Sequence, residues 1–190
     1  MSITKPGQRK LQILQALAGM LENPKGEKIT TAALAAKIDV SEATLYRHFA
    51  SKAQMFEGLM EFIESSIFGL INQITVQDKD GISQAANISL MLLSFAERNP
   101  GMTRVLIGDA LVNEDERLQT QMNHLIDRIE LAYKQSLRQA AALGQIPEAE
   151  VSARANLLVS FVVGRWHRYA KSGFKALPHE GAQAQLNILL

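Results

Sequence analysis

Apolar residues recur every three or four positions along almost all of this 190-residue chain, with short breaks rich in Gly, Pro and Asp between the runs. Such spacing gathers each run's apolar side chains on one face of an α-helix, and the two-residue alternation of a half-buried strand is absent. The pattern predicts a helix over about 8–22, with Leu11, Leu14, Leu17, Ala18 and Leu21 on one face. Two short helices between 30 and 49 follow, then long helices over about 51–74, 82–98, 113–142 and 147–171. A short helix reaching Leu111 follows the Asn99-Pro100-Gly101 break, and another follows Pro178. Asn23-Pro24-Lys25-Gly26, Asp78-Lys79-Asp80-Gly81 and Gly144 mark the remaining stops. Ser51 with Gln54, and Asn113 with Glu116, have the spacing of N-terminal caps. Pro147 is placed at the first position of its helix, where a missing N–H costs nothing. The run over 82–98 is apolar around most of its circumference, so it belongs in the middle of a bundle. The expected fold class is all-α.

Composition narrows the function classes. At 47% hydrophobic residues the chain can bury a sizeable core. It has no cysteine, which excludes disulfides and thiol catalysis and fits a reducing cytoplasm, the expected location. The start Met1-Ser2-Ile3-Thr4-Lys5-Pro6 has no apolar signal region. The longest apolar run, Ile88 to Ala96, includes Ser89 and Ser94 and stops at Glu97-Arg98, too short for a membrane span. No glycine-rich phosphate loop, metal-spaced His or Cys cluster or Ser/His/Asp motif is present. No enzymatic activity, cofactor or metal is therefore expected. Charge is uneven: residues 1–52 carry eight basic against four acidic side chains, while the remainder is acidic by three. A basic head on an acidic body suits DNA binding at one end.

The string from Ile29 to Phe49 sits inside that basic head. Thr30 or Thr31 can cap a first short helix with Leu34, Ala35 and Ile38 on its apolar side. Asp39-Val40 makes a turn, and Ser41 caps a second helix that buries Leu45 and Phe49, four apart on one face. The opposite face shows Ala43, Thr44 and Arg47, flanked by Tyr46 and His48. This is the layout of a helix-turn-helix whose second helix enters the DNA major groove.

These residues, with Ser51-Lys52 and Met55-Phe56, closely resemble the signature of the TetR family. Asp39 is a departure, since the family usually has Gly in that turn; Asp tolerates left-handed backbone better than most residues. The resemblance implies an N-terminal three-helix head, residues 1–52, on a helical bundle body, residues 53–190, that dimerises. It also implies a near-palindromic double-stranded DNA site read by two heads. Arg47 can donate two hydrogen bonds to a guanine edge, and Ala43 and the Thr44 methyl can touch a thymine methyl. Tyr46, His48, Lys52 and the Thr31 hydroxyl are placed for phosphates. With the cap Ser41, the expected DNA-binding set is Thr31, Ser41, Ala43, Thr44, Tyr46, Arg47, His48 and Lys52. Each has a plainer alternative: Tyr46 packing on the first helix, His48 and Arg47 as solvated side chains, and Glu42 as a partner of the helix dipole. Lys5, Arg9 and Lys10 either reach the DNA backbone or belong to a frayed tail.

In the body, Leu59, Ile63, Ile67, Leu70, Ile71 and Ile74 form the apolar stripe of the long helix. Phe62 lies at its edge beside Gly58, Ser65 and Gly69, an arrangement suited either to a shallow peptide groove or to close helix packing. A narrower resemblance covers nearly the whole chain and is carried above all by Glu97-Arg98-Asn99-Pro100-Gly101-Met102-Thr103-Arg104. Further matches are Glu61-Phe62-Ile63-Glu64, Asp115-Glu116-Arg117-Leu118-Gln119, Asp127-Arg128-Ile129-Glu130 and Ser172-Gly173-Phe174-Lys175. The chain is similar to the nucleoid occlusion factors, TetR-like proteins that bind chromosomal sites as dimers and antagonise assembly of the division protein FtsZ over the nucleoid. That resemblance implies FtsZ as a partner, docking on Phe62, Arg98 and Asn99, with Met91 and Ser94 adjacent. Arg98 has an alternative use in a surface bridge to Glu97 or Glu64. The stretch Ala155 to Val163, with Ser160 and Gly164 as small spacers, reads as a dimer seam or as simple burial within one subunit. The competing function is a ligand-responsive repressor, for which His124, His167, Trp166 and Tyr133 are the candidate pocket residues.

Overall fold

Helical periodicity becomes nine α-helices and two single 3-10 turns in the computed structural model, which describes residues 6–23 and 29–190. In order, they are α1 (Pro6–Leu21), α2 (Thr31–Lys37), α3 (Glu42–Tyr46), α4 (Lys52–Gln77), α5 (Gly81–Arg98), α6 (Pro100–Leu106), α7 (Glu116–Ala142), α8 (Val151–Lys171) and α9 (Ala182–Leu189). No strand occurs among the described residues. Lys5 and the Pro24-Lys25-Gly26 stop lie outside them.

Caps set the boundaries. Ser51 accepts from the Gln54 N–H at 3.1 Å, and Gln54 returns its side-chain oxygen to the Ala50 N–H at 2.8 Å. The expected Ser-Gln exchange is therefore made, shifted by one residue on its return arm. Asp80 caps α5 by accepting from the Ser83 N–H at 2.8 Å. The start of α7 differs from expectation. Asp115, not Asn113, is its cap, accepting from the Arg117 N–H at 3.0 Å. Asn113 instead takes a left-handed φ of 66° in the preceding loop. Pro147 differs as well: it precedes a 3-10 turn at Glu148–Glu150, and α8 begins only at Val151. The short helix after Pro100 ends at Leu106, and a 3-10 turn at Asp109–Leu111 completes the stretch expected as one element.

As its all-round apolar pattern predicts, α5 is central, packed by α4, α6, α7, α8 and α9. Its N-terminus sits so close to α7 that a Cβ on Gly81 would meet the Ser136 carbonyl oxygen at 2.2 Å. Ile63 and Ile67 of α4, Ile88 and Leu92 of α5, Ile129 and Leu137 of α7, and Leu158 and Val162 of α8 fill the space between the helices. Each such side chain contributes roughly 1.5–3 kcal/mol of burial. Most polar groups that enter the core find partners, although the buried Ser136 hydroxyl has none among the described residues. The Tyr133 hydroxyl meets that of Ser89 at 2.8 Å, and Trp166 Nε1 donates to the Leu92 carbonyl at 3.1 Å. Burial pushes the Tyr133 hydroxyl far above the ordinary tyrosine pKa.

Candidate nucleic-acid interface and partner face

The helix-turn-helix is built by local hydrogen bonds. Thr30 caps α2, accepting from the Ala33 N–H at 3.2 Å. Asp39 has a φ of 53°, which allows its own N–H to reach the Ala36 carbonyl at 3.2 Å and the Val40 N–H to reach Ala35 at 3.0 Å. This is the paired C-terminal closure that a left-handed residue normally supplies to a helix end. Ser41 then caps α3 through the Thr44 N–H at 3.3 Å. Leu45 and Phe49 are buried beneath α3, as their spacing predicts.

Outward, the expected DNA residues are linked to one another. Arg47 Nη2 donates to Thr44 Oγ1 at 2.8 Å, and that oxygen lies 3.1 Å from Ser41 Oγ. The Thr31 hydroxyl donates to Glu42 at 2.5 Å and accepts from the Tyr46 hydroxyl at 3.5 Å. Thr31, Glu42 and Tyr46 thus tie α2 to α3 across the turn. Glu42 does more than face the helix dipole, a role its sequence position alone suggested. Ser41, Ala43, Tyr46 and Arg47 are exposed and His48 is half-buried. Lys52 stands apart from this group: its ammonium is paired with Glu114, in the loop before α7, and lies 5.6 Å from the Phe56 ring centre. Lys10 of α1 lies over the Phe49 ring at 5.6 Å.

On the body, Phe62 is 37% exposed, while Leu59, Ile63, Ile67 and Ile71 are buried. Both Ser65 and Ser66 donate their hydroxyls to the Phe62 carbonyl, at 3.0 and 2.7 Å. Gly69 faces open space. Gly58 does not join it: a Cβ there would meet Phe49 at 3.1 Å and Leu14 at 3.5 Å, so this glycine belongs to the joint with the head. α4 and α5 are joined by the short 78–80 turn and run antiparallel. Phe62 and Arg98 each lie about 22–26 Å along their own helix from that turn, at 1.5 Å per residue.

Arg98 is exposed and forms no ion pair among the described residues. Both partners weighed for it are engaged elsewhere: Glu64 with Arg128, and Glu97 with the His179 N–H at 2.6 Å. Asn99 ends α5 and begins α6. Its amide donates to the Phe95 carbonyl at 2.7 Å, and its backbone carbonyl accepts from the Thr103 N–H at 2.9 Å.

The residues considered for a small-molecule pocket do not converge. Trp166 and Tyr133 are wholly buried in packed core, whereas His124 and His167 are exposed. A cavity of about 500 Å³ lies elsewhere, between α8 and the loop before α9, lined by Ser160, Phe161, Gly164, Arg165, Arg168 and Leu177 among others. Leu157, Ser160 and Gly164 of α8 are exposed, and so is Ile188 of α9. Among the described residues no His, Asp or Glu group could hold a metal, and no helix is long and apolar enough to cross a membrane.

Sequence reading missed the joint between head and body. A Cβ on Gly101 of α6 would meet the Ala18 carbonyl oxygen of α1 at 2.0 Å. Arg104 of α6 donates Nη1 to the carbonyls of Leu21 and Asn23, at 3.2 and 3.1 Å, and Nε to Asp109 at 2.8 Å. The available signal was the stretch Glu97 to Arg104 itself, which contains both Gly101 and Arg104.

Comparison with known proteins agrees with this architecture. Residues 27–59 match the family of bacterial regulatory proteins of TetR type, and residues 79–190 match the SlmA-like, tetracyclin repressor-like C-terminal domain. The chain is 49% identical over 185 residues to the nucleoid occlusion factor SlmA of Idiomarina loihiensis, covering 95% of this chain and 93% of the relative. It is also 49% identical to the protein of that name from Aliivibrio fischeri, covering 93% and 90%. Among solved structures, the TetR-family regulator PfmR of Thermus thermophilus superposes with a TM-score of 0.78 at 18% identity, over 94% of this chain and 96% of that one. A TetR regulator from Haloarcula marismortui gives 0.82 at 13% identity, over 96% of each. At those identities the structures establish the fold alone. The similarity to the SlmA proteins runs through head and body alike, and the chain belongs to the SlmA family of TetR-like proteins.

Proposed function

We propose that this chain is a nucleoid occlusion factor: a homodimer on near-palindromic chromosomal sites that antagonises FtsZ assembly and blocks septum formation over the nucleoid. The observation that carries the reading is the 49% identity to the Idiomarina SlmA over 95% of the chain, body as well as head. Residues 1–52 act as the DNA head and 53–190 as the dimerising, partner-binding body. Arg47, Ala43 and Thr44 read bases. Thr31, Ser41, Tyr46 and His48 hold phosphates, and Lys52 joins them by exchanging Glu114 for DNA. Phe62 supplies an exposed ring, Arg98 a cation with no ion pair among the described residues and Asn99 the helix junction against which an apolar and acidic FtsZ tail docks. The exposed faces of α8 and α9 pair with a second copy, and Gly164, with open space around it, lets the helices approach. Nucleoid association follows from DNA binding.

The packed interior around Trp166 and Tyr133 favours this reading over a ligand-responsive repressor. The deciding experiment follows FtsZ polymerisation by light scattering, with the protein and a DNA site selected by it from a genomic library. Suppression should require the DNA and vanish in Phe62→Ala and Arg98→Asp while DNA binding persists. Tight, salt-sensitive DNA binding with no effect on FtsZ would overturn the division role and leave the repressor.

A further inference from the structure

Arg104 occupies the last turn of α6, yet the three hydrogen bonds of its guanidinium all reach outside that helix. Two go to the carbonyls of Leu21 and Asn23, which close the C-terminus of α1, and its Nε donates to Asp109 in the 3-10 turn. The other carboxylate oxygen of Asp109 takes the ammonium of Lys171, at the last turn of α8. Arg104 is 13% exposed and Asp109 24%, so water screens the Arg104–Asp109 pair only in part. Lys171, 62% exposed, is held from the solvent side. Burial of Asp109 favours its neutral form, but the two cations outweigh it and hold the carboxyl below the ordinary aspartate range. One continuous polar chain therefore runs from the end of the first head helix, through α6 and a loop carboxylate, to the end of α8.

We propose that Arg104, Asp109 and Lys171 position the reading head relative to the dimer axis and thereby set which half-site spacing the protein accepts. The proposal rests on the DNA-binding, dimeric reading above. The geometry gives the reason. α1 carries the helix-turn-helix, and a head free to pivot about Gly101 would move α3 without altering any residue that touches DNA. One base pair of spacing shifts a half-site by about 3.4 Å and turns it by about 35°. A firmly held head rejects that change, and a loosened one follows it. These three are positioning residues: none of them lies on α3.

The test measures binding of the full-length dimer to synthetic operators whose half-sites are intact and whose central spacing is changed by one base pair either way. For the unaltered protein, affinity should fall at least tenfold away from its preferred spacing. Asp109→Ala should retain the affinity for an isolated half-site within about twofold and cut the spacing penalty to threefold or less. Lys171→Met, at an exposed position that tolerates exchange, should cut it in the same direction, and the double variant should do no more than Asp109→Ala alone. A folded Asp109→Ala or Lys171→Met dimer with the original spacing penalty would overturn the positioning role while leaving DNA binding intact. Failure of the unaltered protein to bind any selected operator would overturn the DNA-binding reading, and the positioning role with it.

Discussion

Gly101 lies so close to Ala18 that an added Cβ would stand 2.0 Å from the Ala18 carbonyl oxygen, well inside contact distance. The joint between α1 and α6 is therefore a backbone-to-backbone contact, with the Leu21 Cβ a further 3.2 Å neighbour of the same position. Gly101→Ala should force the two helices apart and cost about 2–3 kcal/mol, the upper part of the usual overpacking range. Urea unfolding of the dimer at fixed concentration checks the figure.

A second expectation concerns the turn between α2 and α3. Asp39 holds a φ of 53°, which glycine adopts without steric cost. Asp39→Gly should leave the fold intact and change stability by no more than about 1 kcal/mol in the stabilising direction, because relief of strain is partly offset by the freer unfolded chain. Asp39→Val should destabilise by more than about 1 kcal/mol, since a β-branched residue resists this region strongly. Melting curves of the two variants, taken together, separate backbone strain from loss of the carboxylate.

Much of this was legible beforehand, and the reasons differ by residue. Leu34, Leu45 and Phe49 lie buried where their spacing placed them, because local periodicity decides burial in short amphipathic helices. The left-handed Asp39 was readable from the TetR resemblance, since that family usually has Gly at that turn. Asn113 was misread as a cap because Asp115, two residues on, competes for the same role, and the choice rests on loop geometry that the chain cannot state locally. Gly58 was grouped with Gly69 by helical angle alone; only the packing of Phe49 and Leu14 against it separates them. The Arg104–Asp109–Lys171 chain spans three elements, and its long-range member is 62 residues from Asp109. No periodicity brings such groups together.

Arg47→Ala should weaken binding to the selected operator by about 1–3 kcal/mol and relax the preference at one base position, with melting temperature unchanged. Competition binding against single-base operator variants reads both effects. A uniform loss across all variants would assign Arg47 to phosphate instead.

Asp115 gives the clearest pH dependence. Its carboxyl is held down to about 2, first by the Arg117 side chain and then by the Arg117 N–H that it caps. A group whose folded pKa lies below its unfolded value stabilises fully above the unfolded pKa and loses that contribution as pH falls through the folded one. Here the loss should run from about pH 4 down to about 2. The carboxyl carbon resonance of Asp115 should titrate near the lower value, and Asp115→Asn should keep a cap while flattening this part of the acid-stability profile.

The bond between Arg47 and Thr44 has a bearing on how such a head would tell one operator from another. A guanidinium already held in place has little rotamer freedom left to surrender when DNA arrives. Contact with a base then becomes an exchange of partners. In the proposed base-reading role, the exchange would be even or better at a matching base, while at a wrong one Arg47 would give up Thr44 and receive nothing. Encounter would proceed at similar speed in both cases, so with Arg47 in the proposed base-reading role discrimination would be a matter of residence: the protein would leave wrong sequences early and linger on the right ones.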